Sequence, residues 1–232
     1  MRDFPFENPM NRGAKIAGWI YFPIHVVVLP LFLGTVLYLI AGTVPSDITC
    51  NIWYYAIGLA FTLVAMWKFL RQSYENMLNR FAYSFAMILA AYAVDLLLSI
   101  VLQLFMTFLG ELPVPNNDTI MDLAGQNYRR MFAVAVFMAP LVEECLFRGV
   151  VFGTIRQKSR FFAYFVSVLL FSLYHVWQYA LVYADPIYLL SALQYVPVSI
   201  ALAYCYDRTQ SIWPPVFFHM FINALSLSMM AG

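Results

Sequence analysis

The sequence predicts an all-α protein, a polytopic membrane helix bundle of about seven transmembrane helices with a cytoplasmic N-terminus. The first observation behind this is composition, since 63% of the 232 residues are hydrophobic and 11% are charged. Soluble domains carry roughly 25% charged residues, and a soluble chain of this size could not bury so much apolar surface. The other two observations are the length of the apolar stretches and the placement of lysine and arginine between them.

Seven apolar stretches are each long enough to cross a bilayer, because a spanning helix needs about 20 mainly apolar residues. Short polar segments such as GTVPSD, RQKSR and DRTQ separate them. The first stretch is too long for the apolar region of a signal peptide, so we expect it to remain as the first helix. An eighth, half-spanning element is compatible with the same pattern. The predicted helices are 17–41, 51–70, 84–109, 131–154, 161–182, 187–206 and 211–230.

Lysine and arginine fall almost entirely on alternate connections between these helices. Ten lie in the N-terminal segment and in or beside the second, fourth and sixth connections, whereas only Arg129 and Arg130 lie on the other side. By the positive-inside rule, the N-terminus is cytoplasmic and the C-terminus is outside. The formal net charge of +1 gives no indication of a nucleic-acid partner.

The fourth predicted helix contains three charges in the sequence LVEECLFRG, namely Glu143, Glu144 and Arg148. A charge at the bilayer centre costs about 2.5–3.5 kcal/mol on insertion scales, so such groups are kept when they are paired, hydrated or functional. Asp95 and His25 also lie within predicted helices, but the sequence shows no evident partner for either.

Helical spacing arranges the intramembrane polar residues into pairs. Glu144 and Arg148 are four residues apart and can form an ion pair on one helix face. Glu143 is rotated by about 100° from Glu144 and can face a different neighbour. Two further pairs have the same spacing, Phe171 with His175 and His219 with Asn223.

Four polar side chains from three helices are expected at similar depth in the membrane. At about 1.5 Å per residue, Glu143, His175 and Asn223 lie about 18–21 Å from the predicted cytoplasmic ends and His219 about 12 Å. A carboxylate in a low-dielectric site is a stronger base, and an imidazole beside it can hold a water molecule. A second imidazole and an amide can donate hydrogen bonds to the oxygen of a carbonyl under attack. This set therefore suits hydrolysis by an activated water.

Other chemistries remain open at this point. Glu143, His175 and His219 are also a carboxylate and two imidazoles that could bind zinc, with a fourth position left for water. Glutamate and histidine also build proton relays in transporters, although no inverted repeat is detectable. The sequence contains neither G-x-S-x-G nor H-E-x-x-H, and we expect Cys145 and Ser172 to be packing residues.

Three motifs resemble those of the CAAX protease and bacteriocin-processing (CPBP, or Abi) family. EECLFRG at 143–149 resembles its EExxxR motif, FSLYH at 171–175 resembles FxxxH, and HMFIN at 219–223 resembles HxxxN. The motifs occur in the family's order on successive predicted membrane helices. The resemblance divides the single membrane domain into variable N-terminal transmembrane helices, 1–130, and a CPBP/Abi catalytic core, 131–232.

This resemblance implies a metal-independent intramembrane glutamic endopeptidase, related to the Ras-converting CAAX endopeptidase and needing no cofactor. Glu143 and His175 would hold and activate the water, and His219 and Asn223 would stabilise the oxyanion. Site-shaping roles would fall to Glu144, Arg148 and Phe171.

The sequence departs from the family pattern at three positions that are expected to affect packing only. Gln210 stands where glycine is common, and Ser199 and Ala203 stand where small residues or glycine pack the sixth predicted helix. We therefore expect an active member of the family.

The resemblance leaves the substrate open. The eukaryotic Ras-converting endopeptidase of this family removes the last three residues of prenylated CAAX proteins, and bacterial relatives are linked to peptide maturation and bacteriocin immunity. The expected partners are a peptide or membrane-protein substrate and the lipid bilayer, in the plasma membrane, with the oligomeric state unspecified. The alternatives are a non-proteolytic membrane immunity or scaffold protein and a zinc-dependent membrane protease.

Overall fold

A computed structural model describes residues 6–109 and 112–231, and this part of the chain is helical without β-strands. Three π-helical segments, π1 (Ile24–Val28), π2 (Ala133–Met138) and π3 (Glu144–Phe152), and one 3₁₀-helix (Ser191–Tyr195) interrupt the α-helices. The α-helices are α1 (Arg12–Pro23), α2 (Leu29–Ala41), α3 (Asp47–Ala65), α4 (Trp67–Asn79), α5 (Phe81–Leu109), α6 (Pro115–Phe132), α7 (Ala139–Glu143), α8 (Gly153–Arg156), α9 (Arg160–Tyr174), α10 (Trp177–Val182), α11 (Ile187–Leu190), α12 (Val196–Thr209) and α13 (Trp213–Ala231).

The all-α prediction is confirmed, and four helical stretches of the described chain are long and apolar enough to cross a membrane: Arg12–Ala41, Asp47–Ala65, Phe81–Phe108 and Ile187–Thr209. Their outer surfaces are apolar. On α5, for example, Leu97, Val101 and Leu104 are each more than 60% exposed on one face, as expected for a helix that contacts lipid. The number of seven spans and the cytoplasmic N-terminus stay predictions.

Several helix boundaries differ from those predicted from hydropathy. The polar segment after the second predicted helix is not a loop but the amphipathic helix α4. The fourth predicted helix is preceded by further helical chain, because α6 begins at Pro115 and is kinked at Asn127, where the backbone is not helical. The predicted helix 161–182 is broken, since α9 ends at Tyr174 and the chain turns at His175 and Val176 before α10.

Side-chain caps explain where several helices begin. The Asn11 side chain accepts a hydrogen bond from the Ala14 N–H at 2.9 Å, and Ser46 and Ser159 begin α3 and α9 in the same way. Such caps satisfy backbone donors that have no partner within the helix. At the other end, Gln210 ends α12 with a left-handed φ of 52°, which is the conformation that glycine adopts most easily.

The charged motif lies at the centre of the bundle. Every residue from 139 to 153 is buried, and this segment packs against α1, α3, α9, α12 and α13. Pro140 lies between π2 and π3, and a proline removes one backbone hydrogen bond from a helix. Wide π turns often occur at functional sites. The segment therefore presents its three charges to other helices rather than to lipid.

Gly58 allows α3 to approach the motif segment closely. A Cβ atom at this position would lie 2.8 Å from Val142 Cγ1 and 3.1 Å from His25 Cε1, and both neighbouring side chains are fully buried. Small residues permit such close helix approach in membranes. The contact places Tyr55, one turn earlier on α3, beside Glu143.

We expect Gly58→Ala to lower the thermal unfolding temperature, because overpacking a buried site costs about 1–3 kcal/mol. Thermal unfolding in detergent would measure the effect. Gly125→Ala is the matched control, since nothing lies within 4 Å of a Cβ atom built at Gly125. Equal stability of the two variants would contradict this role of Gly58.

Candidate active site

The two adjacent glutamates face different parts of the molecule, as their 100° rotation predicts. Glu143 ends α7 and is 3% exposed, whereas Glu144 begins π3 and is completely buried. Glu144 contacts Arg148 and His219, while Glu143 faces a polar cavity. The pair therefore divides into one carboxylate within the packed core and one at a cavity wall.

Glu144 holds a buried charge network together. Its Oε1 atom lies 3.3 Å from Arg148 Nη1 and 2.9 Å from His219 Nδ1. Arg148 Nη2 donates to the backbone oxygen of Ser199 at 3.1 Å and to its hydroxyl at 3.0 Å. The guanidinium also lies 4.2 Å from the centre of the Phe171 ring, a cation–π contact. Ser199 thus does more than pack α12, because it supplies two acceptors to the buried arginine.

Two imidazole rings from different helices approach Glu143. His219 Nε2 on α13 lies 3.8 Å from Glu143 Oε2, and His175 Nε2 at the end of α9 lies 4.0 Å from the same oxygen. Both distances exceed a direct hydrogen bond, and polar contacts of this length are commonly bridged by water. Each imidazole therefore lies where a water molecule can bridge its Nε2 atom to Glu143 Oε2.

The backbone and one aromatic ring fix the orientation of His175. Its Nδ1 atom lies 2.8 Å from the Phe171 carbonyl oxygen, and because a carbonyl only accepts, Nδ1 carries the proton. The ring stacks on Tyr195 with a centroid distance of 4.4 Å and an interplanar angle of 18°. A neutral His175 ring therefore presents the Nε2 lone pair towards Glu143.

A chain of tyrosine hydroxyls reaches Glu143, and the sequence did not indicate it. Tyr55 donates to Glu143 Oε1 at 2.7 Å, and its hydroxyl lies 3.3 Å from that of Tyr174. Tyr174 lies 2.9 Å from the Tyr54 hydroxyl, which donates to the His25 carbonyl oxygen at 3.0 Å. His25 therefore has partners that its sequence context did not reveal.

Asn223 lies near the two histidines but is held by the backbone. Its Nδ2 atom donates to the Ala135 carbonyl oxygen in π2 at 2.8 Å. A side-chain amide has two N–H groups and one acceptor oxygen, so one N–H remains for another partner. The contact fixes the amide on the same cavity wall as His219.

The described part of the chain has a cavity of about 320 Å³ in front of these groups. Glu143, His175, His219 and Asn223 all line it, as does Asp95 from α5. The structure thus brings together the four residues predicted to be catalytic, while Phe171 lies against both imidazoles. Their chemical roles stay predictions.

The zinc-ligand hypothesis requires Glu143, His175 and His219 to converge on one point. Within residues 6–109 and 112–231, no three histidine, cysteine, aspartate or glutamate side chains are grouped as a metal ion requires. The two imidazoles instead face the same carboxylate oxygen at 3.8 and 4.0 Å. The effect of a zinc chelator on peptide hydrolysis would distinguish a zinc protease from a glutamic protease.

Comparison with known proteins adds to this geometry. Residues 125–225 match the family described as Type II CAAX prenyl endopeptidase Rce1-like. This segment, which is less than half of the chain, is similar to the Rce1-like family. It contains all three motifs, so the family resemblance drawn from them is confirmed.

A curated bacterial protein is similar to part of this chain. The protein named "Putative membrane peptidase YdiL" of Bacillus subtilis (strain 168) is 31% identical over 115 residues. The alignment covers 49% of this chain and 42% of that protein, so this chain spans less than half the length of the relative. No solved structure matches the chain significantly.

Proposed function

We propose that this protein is a membrane-embedded endopeptidase of the glutamic type, in which Glu143 and His175 activate a water molecule. The observation that carries the proposal is the meeting of Glu143 with two imidazoles from separate helices at the wall of a polar cavity. Residues with no shared role would have no reason to converge within the membrane. The Rce1-like segment makes peptide hydrolysis the chemistry that fits this arrangement best.

The first step is proton transfer from water to Glu143. Oε1 of this residue is held by Tyr55, which leaves Oε2 to accept a proton from a water that also contacts His175 Nε2. As the water oxygen attacks the peptide carbonyl carbon, its proton moves to Glu143. A base positioned in this way contributes about 10²–10⁴ in rate.

The second step needs donors for the oxygen of the tetrahedral intermediate. His219 is held through Nδ1 by Glu144 at 2.9 Å, so its Nε2 atom can donate when the ring carries both protons. Glu144 then offsets the positive charge on the ring. Asn223 offers the N–H group that is not used by Ala135. Preorganised donors of this kind stabilise the developing oxyanion.

Collapse of the intermediate returns the proton. The C–N bond breaks as Glu143 delivers the proton taken from water to the leaving nitrogen. The products are a new carboxyl group and a new amine, and Glu143 is again ionised. No covalent enzyme intermediate and no cofactor are required.

Peptides and membrane-protein segments are the substrates we propose, with the plasma membrane as the site of action. The family description adds prenylated CAAX C-termini as one class to examine. The direct experiment is hydrolysis of a fluorogenic panel by the purified protein in nanodiscs, with prenylated and unprenylated members. We expect cleavage of at least one member, identified by mass spectrometry, and its loss in His175→Ala. Cleavage that persists in His175→Ala would contradict the proposal.

Tyr55 is expected to position the base, and Tyr55→Phe should lower kcat about tenfold, since a hydrogen bond to a charged group contributes roughly 1.5 kcal/mol. Carbonyl and carboxylate oxygens only accept, so the Tyr55 hydroxyl donates a hydrogen bond to Glu143 and the Tyr54 hydroxyl donates one to the His25 carbonyl oxygen. Tyr54→Phe is therefore the matched control and should reduce kcat much less. Unfolding temperatures of both variants exclude a general loss of structure, and equal kcat values would remove the positioning role.

A further inference from the structure

Asp95 is the single charged residue of the 29-residue helix α5. Its side chain faces inward, since the residue is 9% exposed and lines the cavity that contains Glu143. An ionisable group inside a membrane span is expected to serve a function or to have a partner. The catalytic steps proposed above make no use of it.

The other buried acids of the described chain have basic partners, and Asp95 does not. Glu144 pairs with Arg148, and Glu143 lies near His175 and His219. Asp207 near the C-terminal end of α12 pairs with Arg156 at 2.7 Å and Arg160 at 2.8 Å. Within residues 6–109 and 112–231, no lysine, arginine or histidine lies within 4 Å of the Asp95 carboxylate as an ion-pair partner.

Apart from His175 and His219, which face Glu143, the described cavity wall supplies hydrogen-bonding groups but no side chain that can carry a positive charge. Neutral amides of Asn51, Asn116, Asn117 and Gln194 line it together with the Ser99 hydroxyl, and no lysine or arginine is among the described lining residues. A carboxylate in such a site attracts positive charge strongly, because Coulomb interactions grow as the local dielectric falls. A positive charge that balances the Asp95 carboxylate would therefore come from a molecule that enters the cavity.

We propose that Asp95 forms a cation-binding subsite that selects peptide substrates carrying a positive charge near the bond to be cleaved. This inference rests on the proposed endopeptidase function, because the subsite and Glu143 line the same cavity. The cation is an organic ammonium or guanidinium group of the peptide, either a lysine or arginine side chain or a free N-terminus. Asn and Gln side chains on the same wall would bind the peptide backbone.

The test compares peptides that differ only in charge. Blocked eight-residue alanine–leucine peptides carry lysine, norleucine or glutamate at one scanned position, and a second set has a free N-terminus. For the wild-type protein in nanodiscs, we expect kcat/KM about tenfold higher for lysine than for norleucine at one position, and lowest for glutamate. A preference confined to free N-termini would identify the ammonium as the bound group.

Asp95→Asn should remove this preference, so that the lysine-to-norleucine ratio falls to about one. The ratio is measured within one protein sample, so partial loss of folded protein does not affect it. Glu75→Gln is the matched control, because Glu75 is exposed on α4 and paired with Arg71 outside the cavity. Glu75→Gln should keep the wild-type lysine-to-norleucine ratio. A lysine preference that survives in Asp95→Asn, or a wild-type protein without any charge preference, would overturn the proposal.

Binding measurements separate failure of the subsite from failure of the proposed function. The same peptides are titrated onto Glu143→Gln and onto the double variant Asp95→Asn/Glu143→Gln. We expect about tenfold tighter binding of the lysine peptide to the first and no difference for the second. If wild type hydrolyses nothing but this binding difference is present, the subsite stands and the endopeptidase function fails. If hydrolysis occurs without a charge preference, the function stands and the subsite fails.

Discussion

Glu143→Gln is expected to lower peptide hydrolysis by about 100- to 10,000-fold, which is the range that a positioned general base contributes. Glutamine has nearly the same shape, and its carbonyl oxygen can still accept the hydrogen bond from Tyr55. It cannot accept the proton of the attacking water. The measurement is the initial rate of cleavage in nanodiscs, with the unfolding temperature as a check on structure.

The control for this prediction is Glu75→Gln, which makes the same chemical change on an exposed surface. The Glu75 side chain is 58% exposed, and its partner Arg71 is 72% exposed. Its activity should equal that of the wild type. An immunity or scaffold protein without proteolytic activity would instead tolerate Glu143→Gln in its cellular role. Full cellular function in that variant would favour the non-proteolytic alternative.

Glu144→Leu is expected to destabilise the protein by about 3–5 kcal/mol, because removal of one partner leaves a buried charge uncompensated. Arg148 would retain its bonds to Ser199 and its contact with Phe171, but it would lose the carboxylate at 3.3 Å. Unfolding by heat or denaturant in a mild detergent measures the loss. His219 would also lose the partner at Nδ1, so activity should fall with stability.

The double variant Glu144→Leu/Arg148→Met separates the two roles of Glu144. Buried ion pairs can be replaced by apolar side chains of similar volume with little loss of stability. We therefore expect the double variant to recover most of the lost stability but not the activity, because His219 still lacks its carboxylate. Wild-type stability in the single variant would contradict the structural role of the pair, and recovered activity in the double variant would contradict the role of Glu144 in orienting His219.

Local helical spacing made part of the candidate site predictable. Glu144 and Arg148 contact each other as expected from their separation of four residues, although π-helical hydrogen bonding widens this turn. Phe171 and His175 likewise lie together, with the Phe171 carbonyl holding the histidine ring. Such contacts depend on one helix and can be inferred from a sequence alone.

Contacts between distant segments were not predictable in this way. Tyr55 lies 88 residues before Glu143, and its context of aromatic and aliphatic residues is typical of any membrane helix. Two of the tyrosines around His25 come from the distant helices α3 and α9. The third, Tyr21, lies four residues earlier, and helical spacing could have indicated it. Ser199 was expected only to pack, since its role depends on how α12 crosses the motif segment.

The helix boundaries show a second limit of hydropathy. The turn at His175 contains neither glycine nor proline, so the apolar run from 161 to 182 indicated one continuous helix. The helix α4 is polar on one face, and its composition alone suggested a loop. In both places the packing of neighbouring helices, rather than local propensity, decides the secondary structure.

The measurement that tests the central claim most directly is the rate of peptide hydrolysis by the wild-type protein after treatment with a strong zinc chelator. A water activated by Glu143 and His175 needs no metal, so we expect an unchanged rate, with Glu143→Gln inactive in the same assay. Loss of wild-type activity on chelation, with recovery on addition of zinc, would contradict the glutamic mechanism. It would assign Glu143, His175 and His219 to metal binding.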